Sequence, residues 1–119
     1  MLGGVKDIAI ALGRYRFTLK PEAVLQVEME DALRTEFPGV EILREHRLGP
    51  ADRPDFLVDG RFVVEAKIRG ASRRLIERQV QRYAAYPEVA GIVLATGKAM
   101  SSFIATKPVV IVHLGRAWL

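Results

Sequence analysis

Three residues in this chain have the types and spacing to handle a phosphate ester: Asp55, Glu65 and Lys67. Glu65 and Lys67 are two apart in the apolar run Arg61-Phe62-Val63-Val64-Glu65-Ala66-Lys67-Ile68. Side chains two apart on a strand share one face, so a carboxylate and an ammonium stand side by side. Asp55 opens the preceding run, Asp55-Phe56-Leu57-Val58, and Asp59-Gly60 joins the two. An Asp-Gly pair between β-rich runs predicts a two-residue type I′ hairpin, in which Val58 faces Arg61 and Asp55 faces Val64. That register leaves Asp55 one residue short of Glu65, and a twist or bulge would have to close the gap. Two carboxylates, with the backbone carbonyl of Ala66 as a third oxygen, suit Mg²⁺ or Mn²⁺. Lys67 beside them would orient a water or offset charge on a phosphate oxygen, and such a cluster can perform metal-assisted phosphodiester hydrolysis.

The bland alternative makes Asp55 a strand cap and Glu65 with Lys67 a solvated ion pair. The apolar neighbours Val63, Val64, Ala66 and Ile68 argue against it, because charges set into a buried strand usually have a partner or a task. Asp52 is an alternative to Asp55 but lies farther from the strand, and Asp59 is more simply the turn residue. His46 and His113 lack the spacing of a metal pair, and Gly97-Lys98 reads as a turn.

The elements that must position these residues follow from periodicity. Pro21 suits the first turn of a helix whose stripe is Leu25, Met29, Ala32, Leu33 and Phe37, stopped by Pro38-Gly39. A short strand over 40–46 and a loop over 48–54 precede the hairpin. Gly70 ends the hairpin's second strand, and Ser72 caps a helix running to about Tyr86. Val89–Ala95 and Val109–Leu114 are apolar runs fit for buried strands. A helical crossover after the third strand makes the fourth parallel to it, which predicts an α/β fold with a mixed sheet flanked by helices. The first twenty residues are ambiguous: Tyr15, Phe17 and Leu19 alternate as a strand would, while Val5, Ile8, Ala9 and Leu12 also suit a helix.

The pattern resembles the PD-(D/E)xK phosphodiesterase superfamily of restriction endonucleases, Holliday-junction resolvases and recombination exonucleases. The matching residues are Pro54-Asp55 and, ten residues on, Glu65-Ala66-Lys67. Gln79-Val80-Gln81-Arg82-Tyr83 has the Gln-x-x-x-Tyr spacing of the recombination-exonuclease branch, and residues four apart share a helix face. The resemblance implies a restriction-endonuclease-like core of order αβββαβ over residues 21–114, with an extra C-terminal strand and residues 1–20 as an N-terminal extension of a single domain. It implies that Asp55 and Glu65 hold the metal and Lys67 acts on the attacking water. It also implies that Gln79 and Tyr83 act at the site and that Glu22 or Gln26, with Glu30 a weaker choice, completes the metal shell.

Composition narrows the classes further. The 119 residues suffice for one core, and no apolar run is long enough for a membrane span. The absence of cysteine excludes disulfides, thiolate zinc sites and a cysteine nucleophile; Lys6 and Asp7 make residues 1–12 a poor signal peptide, so a cytoplasmic protein is the default expectation. Net charge is +4, and Arg73, Arg74, Arg78 and Arg82 cluster just after the chemical motif, as DNA-phosphate contacts would. A homodimer is a further expectation, since an exposed N-terminal strand would invite pairing. The expected activity is therefore Mg²⁺-dependent cleavage of DNA, branched or single-stranded substrates included. The rivals are a nucleic-acid-binding module of the same fold that depends on a partner, and a structural protein.

Overall fold

A computed structural model describes residues 2–68, 72–97, 100–102 and 104–114. Within them the order is α1 (Val5–Gly13), α2 (Glu22–Glu36), β1 (Ile42–Arg44), β2 (Phe56–Val58), β3 (Phe62–Lys67), α3 (Arg73–Ala84), β4 (Gly91–Thr96) and β5 (Val109–His113). The strands form one mixed sheet in chain order, β1-β2-β3-β4-β5. β1, β2 and β3 are antiparallel, whereas β4 runs parallel to β3 across the α3 crossover and β5 runs parallel to β4. Residue Gly70, the expected end of the third strand, and Lys98 lie outside the described residues.

Alternation along the strands divides the core in two. Phe56, Val58, Phe62, Val64, Ala66, Val93 and Ala95 pack with α1 and α2 on one face. Leu57, Val63, Ile92 and Leu94 pack with Ile76, Val80, Tyr83 and Ala84 of α3 on the other. Glu65 and Lys67, out of phase with Val64 and Ala66, therefore point to the α3 side.

Several expectations need correction. Pro21 is the extended residue just before α2, not part of its first turn. The alternating stretch Tyr15–Leu19 forms no strand. Its polar groups are taken by α2 instead: the Thr18 N–H and hydroxyl donate to Glu28 at 2.7 and 3.1 Å, and the Tyr15 hydroxyl donates to Glu36 at 2.8 Å. The strand-pairing argument for a homodimer loses its basis here. The N-terminal extension contributes to the core. Val5, Ile8, Ala11 and Leu12 of α1 are buried in the core, and α1 packs on β4 and β5.

The hairpin register is also shifted by one. Asp59 and Gly60 adopt the positive φ values of the predicted turn, 59° and 69°, and the Arg61 N–H closes it on the Val58 carbonyl at 3.1 Å. Yet the first ladder pair is Val58 with Phe62, because the Arg61 carbonyl faces β4 and accepts from the Ala90 N–H at 2.7 Å. Phe56 thus pairs with Val64, and extending the ladder one step sets Asp55 opposite Glu65. No distortion is needed to bring the two carboxylates together.

Candidate active site

β2 begins at Phe56, and Asp55 just before it covers what the strand's backbone does not reach. The Asp55 N–H donates to Glu65 Oε1 at 3.0 Å, while the Ala66 N–H donates to Asp55 Oδ2 at 2.8 Å. Ala66 is the β3 residue that would seek a partner on the β2 side, so the aspartate caps the strand as well as joining the site. The remaining oxygens have partners too. Gln26 Nε2 of α2 donates to Asp55 Oδ1 at 3.2 Å, and Lys67 Nζ lies 3.2 Å from Glu65 Oε2. Tyr83 of α3 makes a longer contact, its hydroxyl 3.4 Å from Glu65 Oε1.

Of the residues singled out by sequence, Asp55, Glu65, Lys67, Ala66, Gln26 and Tyr83 thus fall in one hydrogen-bonded cluster. Glu22 begins α2 exposed, close enough for its charge to act on Asp55 but without a direct contact among the described residues. Glu30 is engaged elsewhere, with Arg34 at 2.8 Å and Arg44 at 3.5 Å. Gln79 faces a shallow cleft of about 320 Å³ beside Lys67.

The four arginines divide. Arg73 donates to the Ser101 carbonyl at 2.8 Å and the Ser102 carbonyl at 3.1 Å, holding the β4–β5 connection to α3. Arg82 pairs through Nε with Asp52 Oδ1 at 3.0 Å. Arg74 and Arg78 are exposed and make no hydrogen bond or ion pair among the described residues.

Burial dominates the electrostatics. Glu65 is only 6 % exposed, and its removal from water, followed by the neighbouring Asp55 charge, pushes its carboxyl up to about 7. The ammonium of Lys67 opposes this without cancelling it. Burial likewise raises Asp55, against the Ala66 hydrogen bond. The hydroxyl of Tyr83, buried beside these acids, is held well above its ordinary range and stays protonated. The site thus carries more buried negative charge than its own cations offset.

That excess, and the hard oxygens that bear it, fit a divalent cation of the Mg²⁺ class. Asp55, Glu65 and the Ala66 carbonyl, which alternation aims to the same side as its N–H, would supply the protein ligands, with the Gln26 side chain adjacent. Among the described residues no group of three or more acids or histidines is gathered to hold an ion, so a bound ion would need water or substrate oxygens as well.

Arg44 has no signal in the sequence, and Asp52, there only an alternative to Asp55, takes a different place. Arg44 Nη2 donates to Gln26 Oε1 at 3.0 Å, fixing the amide so that its nitrogen faces Asp55. Asp52 is buried and accepts from both Arg82 and the Tyr86 hydroxyl, the latter at 2.8 Å, which ties the 48–54 loop to α3. Its only sequence signal was proximity to Pro54-Asp55. The chain matches no protein-family model, no curated protein and no solved structure.

Proposed function

We propose that this chain is a divalent-metal-dependent nuclease that hydrolyses phosphodiester bonds of DNA. The observation that carries this reading is the register placing Asp55 opposite Glu65, with Lys67 3.2 Å from the glutamate. The resemblance to the PD-(D/E)xK superfamily supports it, as does the αβββαβ order of α2 to β4 expected of a restriction-endonuclease-like core. Asp55 and Glu65 would hold a Mg²⁺ or Mn²⁺ ion, whose chemistry there would be Lewis-acid polarisation of a phosphate and acidification of a water. The chain's own groups divide the remaining work. Asp55 and Glu65 present oxygens from adjacent strands, and Gln26 and Tyr83 hold those carboxylates in orientation. Lys67, a quarter exposed, is among the described residues the one cation that reaches both the acids and the cleft, where it can hold a nucleophilic water or a phosphate oxygen. Gln79 and the free arginines of α3 would position the strand.

One observation favours a second reading, a nucleic-acid-binding module that becomes catalytic only with a partner. Each carboxylate oxygen already has a protein donor or cation within 3.2 Å, so an arriving ion would share these oxygens with internal contacts. A cleavage panel separates the two: single-stranded, nicked, branched and duplex DNA with Mg²⁺ or Mn²⁺, beside Glu65→Ala. Metal-dependent cutting lost in the variant is the expected result. Binding without cutting on every substrate would favour the module.

A further inference from the structure

The cleft beside Lys67 has a composition that the proposed chemistry does not by itself require. It is lined by Lys67, Leu75, Ile76, Arg78, Gln79 and Arg82: three cations, one amide, two aliphatic side chains and no acid. Arg78 and Gln79 make no hydrogen bond among the described residues, so their donors are available. Arg82 is held from behind. Its Nε donates to Asp52 Oδ1, while Asp52 Oδ2 accepts from Tyr86, so a buried carboxylate gripped at both oxygens fixes the guanidinium plane. The Nη nitrogens of Arg82 make no hydrogen bond among the described residues, and the side chain is 52 % exposed. An arginine held in this way has paid its ordering entropy before a ligand arrives, which favours binding.

The geometry points to a phosphate subsite in this cleft. Arg82, aimed by Asp52, and Arg78 with Gln79 grip one backbone phosphate of a nucleic-acid strand, next to the phosphate that Lys67 would meet. The exposed Leu75 side chain, 55 % accessible at the cleft's lining, offers an apolar surface to the adjoining base. This inference rests on the nuclease reading only for the nature of the ligand. Asp52 is here a positioning residue that acts through Arg82.

The test is binding of a fluorescently labelled single-stranded oligonucleotide in EDTA, where no cleavage can intervene. Arg78→Gln and Arg82→Gln should each weaken binding about 5- to 10-fold and flatten the salt dependence by about 0.7 in the log–log slope, one counterion on a single strand. Arg82→Lys keeps the charge but cannot both hold Asp52 and present a fork, so it should lose as much affinity as Arg82→Gln. Asp52→Asn, which removes no cation, should also weaken binding. Lys6→Gln, at the opposite ends of the strands, should leave it unchanged. Thermal unfolding identifies any variant that misfolds, and Arg82→Lys alone then decides. Wild-type affinity in Arg82→Lys, equal weakening in Lys6→Gln, or no oligonucleotide binding by the wild type would overturn the subsite. So would a 5′-mononucleotide or inorganic phosphate that binds the wild type as tightly as the strand. Cleavage that persists while Arg82→Lys binds normally removes the subsite alone; the expected binding pattern without metal-dependent cleavage removes the nuclease reading alone.

Discussion

Glu65 shows what the site costs the fold. A carboxyl moved from 4.5 to about 7 by burial beside Asp55 binds a proton more tightly in the folded chain than in the unfolded one. Between those values the folded state holds more protons, so stability falls as pH rises, and above 7 the penalty is complete. At about 1.4 kcal/mol per pH unit this is on the order of 3 kcal/mol. Glu65→Gln should therefore unfold at higher temperature than the wild type at pH 8, while the two converge below pH 4.5. A variant no more stable than wild type at pH 8 would mean the charge is better compensated than its surroundings indicate. Lys67 makes a different prediction. In the proposed reaction its ammonium would act mainly on charge that develops during the step, so Lys67→Ala should bind Mg²⁺ at least as well as wild type, through reduced repulsion. Single-turnover cleavage should nonetheless fall on the order of 10² to 10³-fold. If calorimetry instead showed lost metal binding with normal turnover at saturating Mg²⁺, Lys67 would be a prop for Glu65 and not part of the chemistry.

Elements bring the site together, and α1 shows how tightly they fit. A Cβ on Gly91 of β4 would stand 2.5 Å from Val5 Cγ1, too close for any real contact, so the helix lies against the sheet where glycine leaves room. Gly91→Ala should destabilise the protein by about 1–3 kcal/mol, and adding Val5→Ala should recover part of that loss. A denaturant titration in which the two changes simply add would contradict this seating. Much of this level was legible in the sequence. The Glu65/Lys67 alternation, the Asp59-Gly60 turn, the Ser72 cap and the parallel crossover all depend on residues near one another in the chain. What was not legible depends on distant partners. The segment Tyr15–Leu19 alternates as a strand does, but Glu28 and Glu36 of α2 claim its polar groups, and no local pattern encodes that choice. The one-residue register shift turns on Arg61 reaching Ala90, and the Asp52 anchor on partners 30 and 34 residues away.

At the scale of the whole molecule, the buried Glu65 beside the half-buried Asp55 would make a divalent ion at the proposed site a stability ligand as well as a catalytic one. A 119-residue domain unfolds with little margin, so a penalty of a few kcal/mol at one site is a sizeable part of the total. Any ion that binds the folded site and not the unfolded chain raises stability by RT ln(1 + [M]/Kd), about 2.7 kcal/mol at one hundred times Kd. For a chain of this length that is a rise in Tm on the order of 10 °C. The effect should be larger at pH 8 than at pH 5.5, because protons compete for Glu65 below its shifted value near 7. Asp55→Ala and Glu65→Gln should each abolish the increment, although Glu65→Gln starts from the higher Tm in metal-free buffer. Scanning with Mg²⁺, with Mn²⁺ and with matched ionic strength from NaCl separates site binding from screening of the net charge of +4. An equal shift in wild type and both variants would assign the ion to the surface at large. A shift confined to the wild type would tie it to the two strands that meet at Asp55 and Glu65.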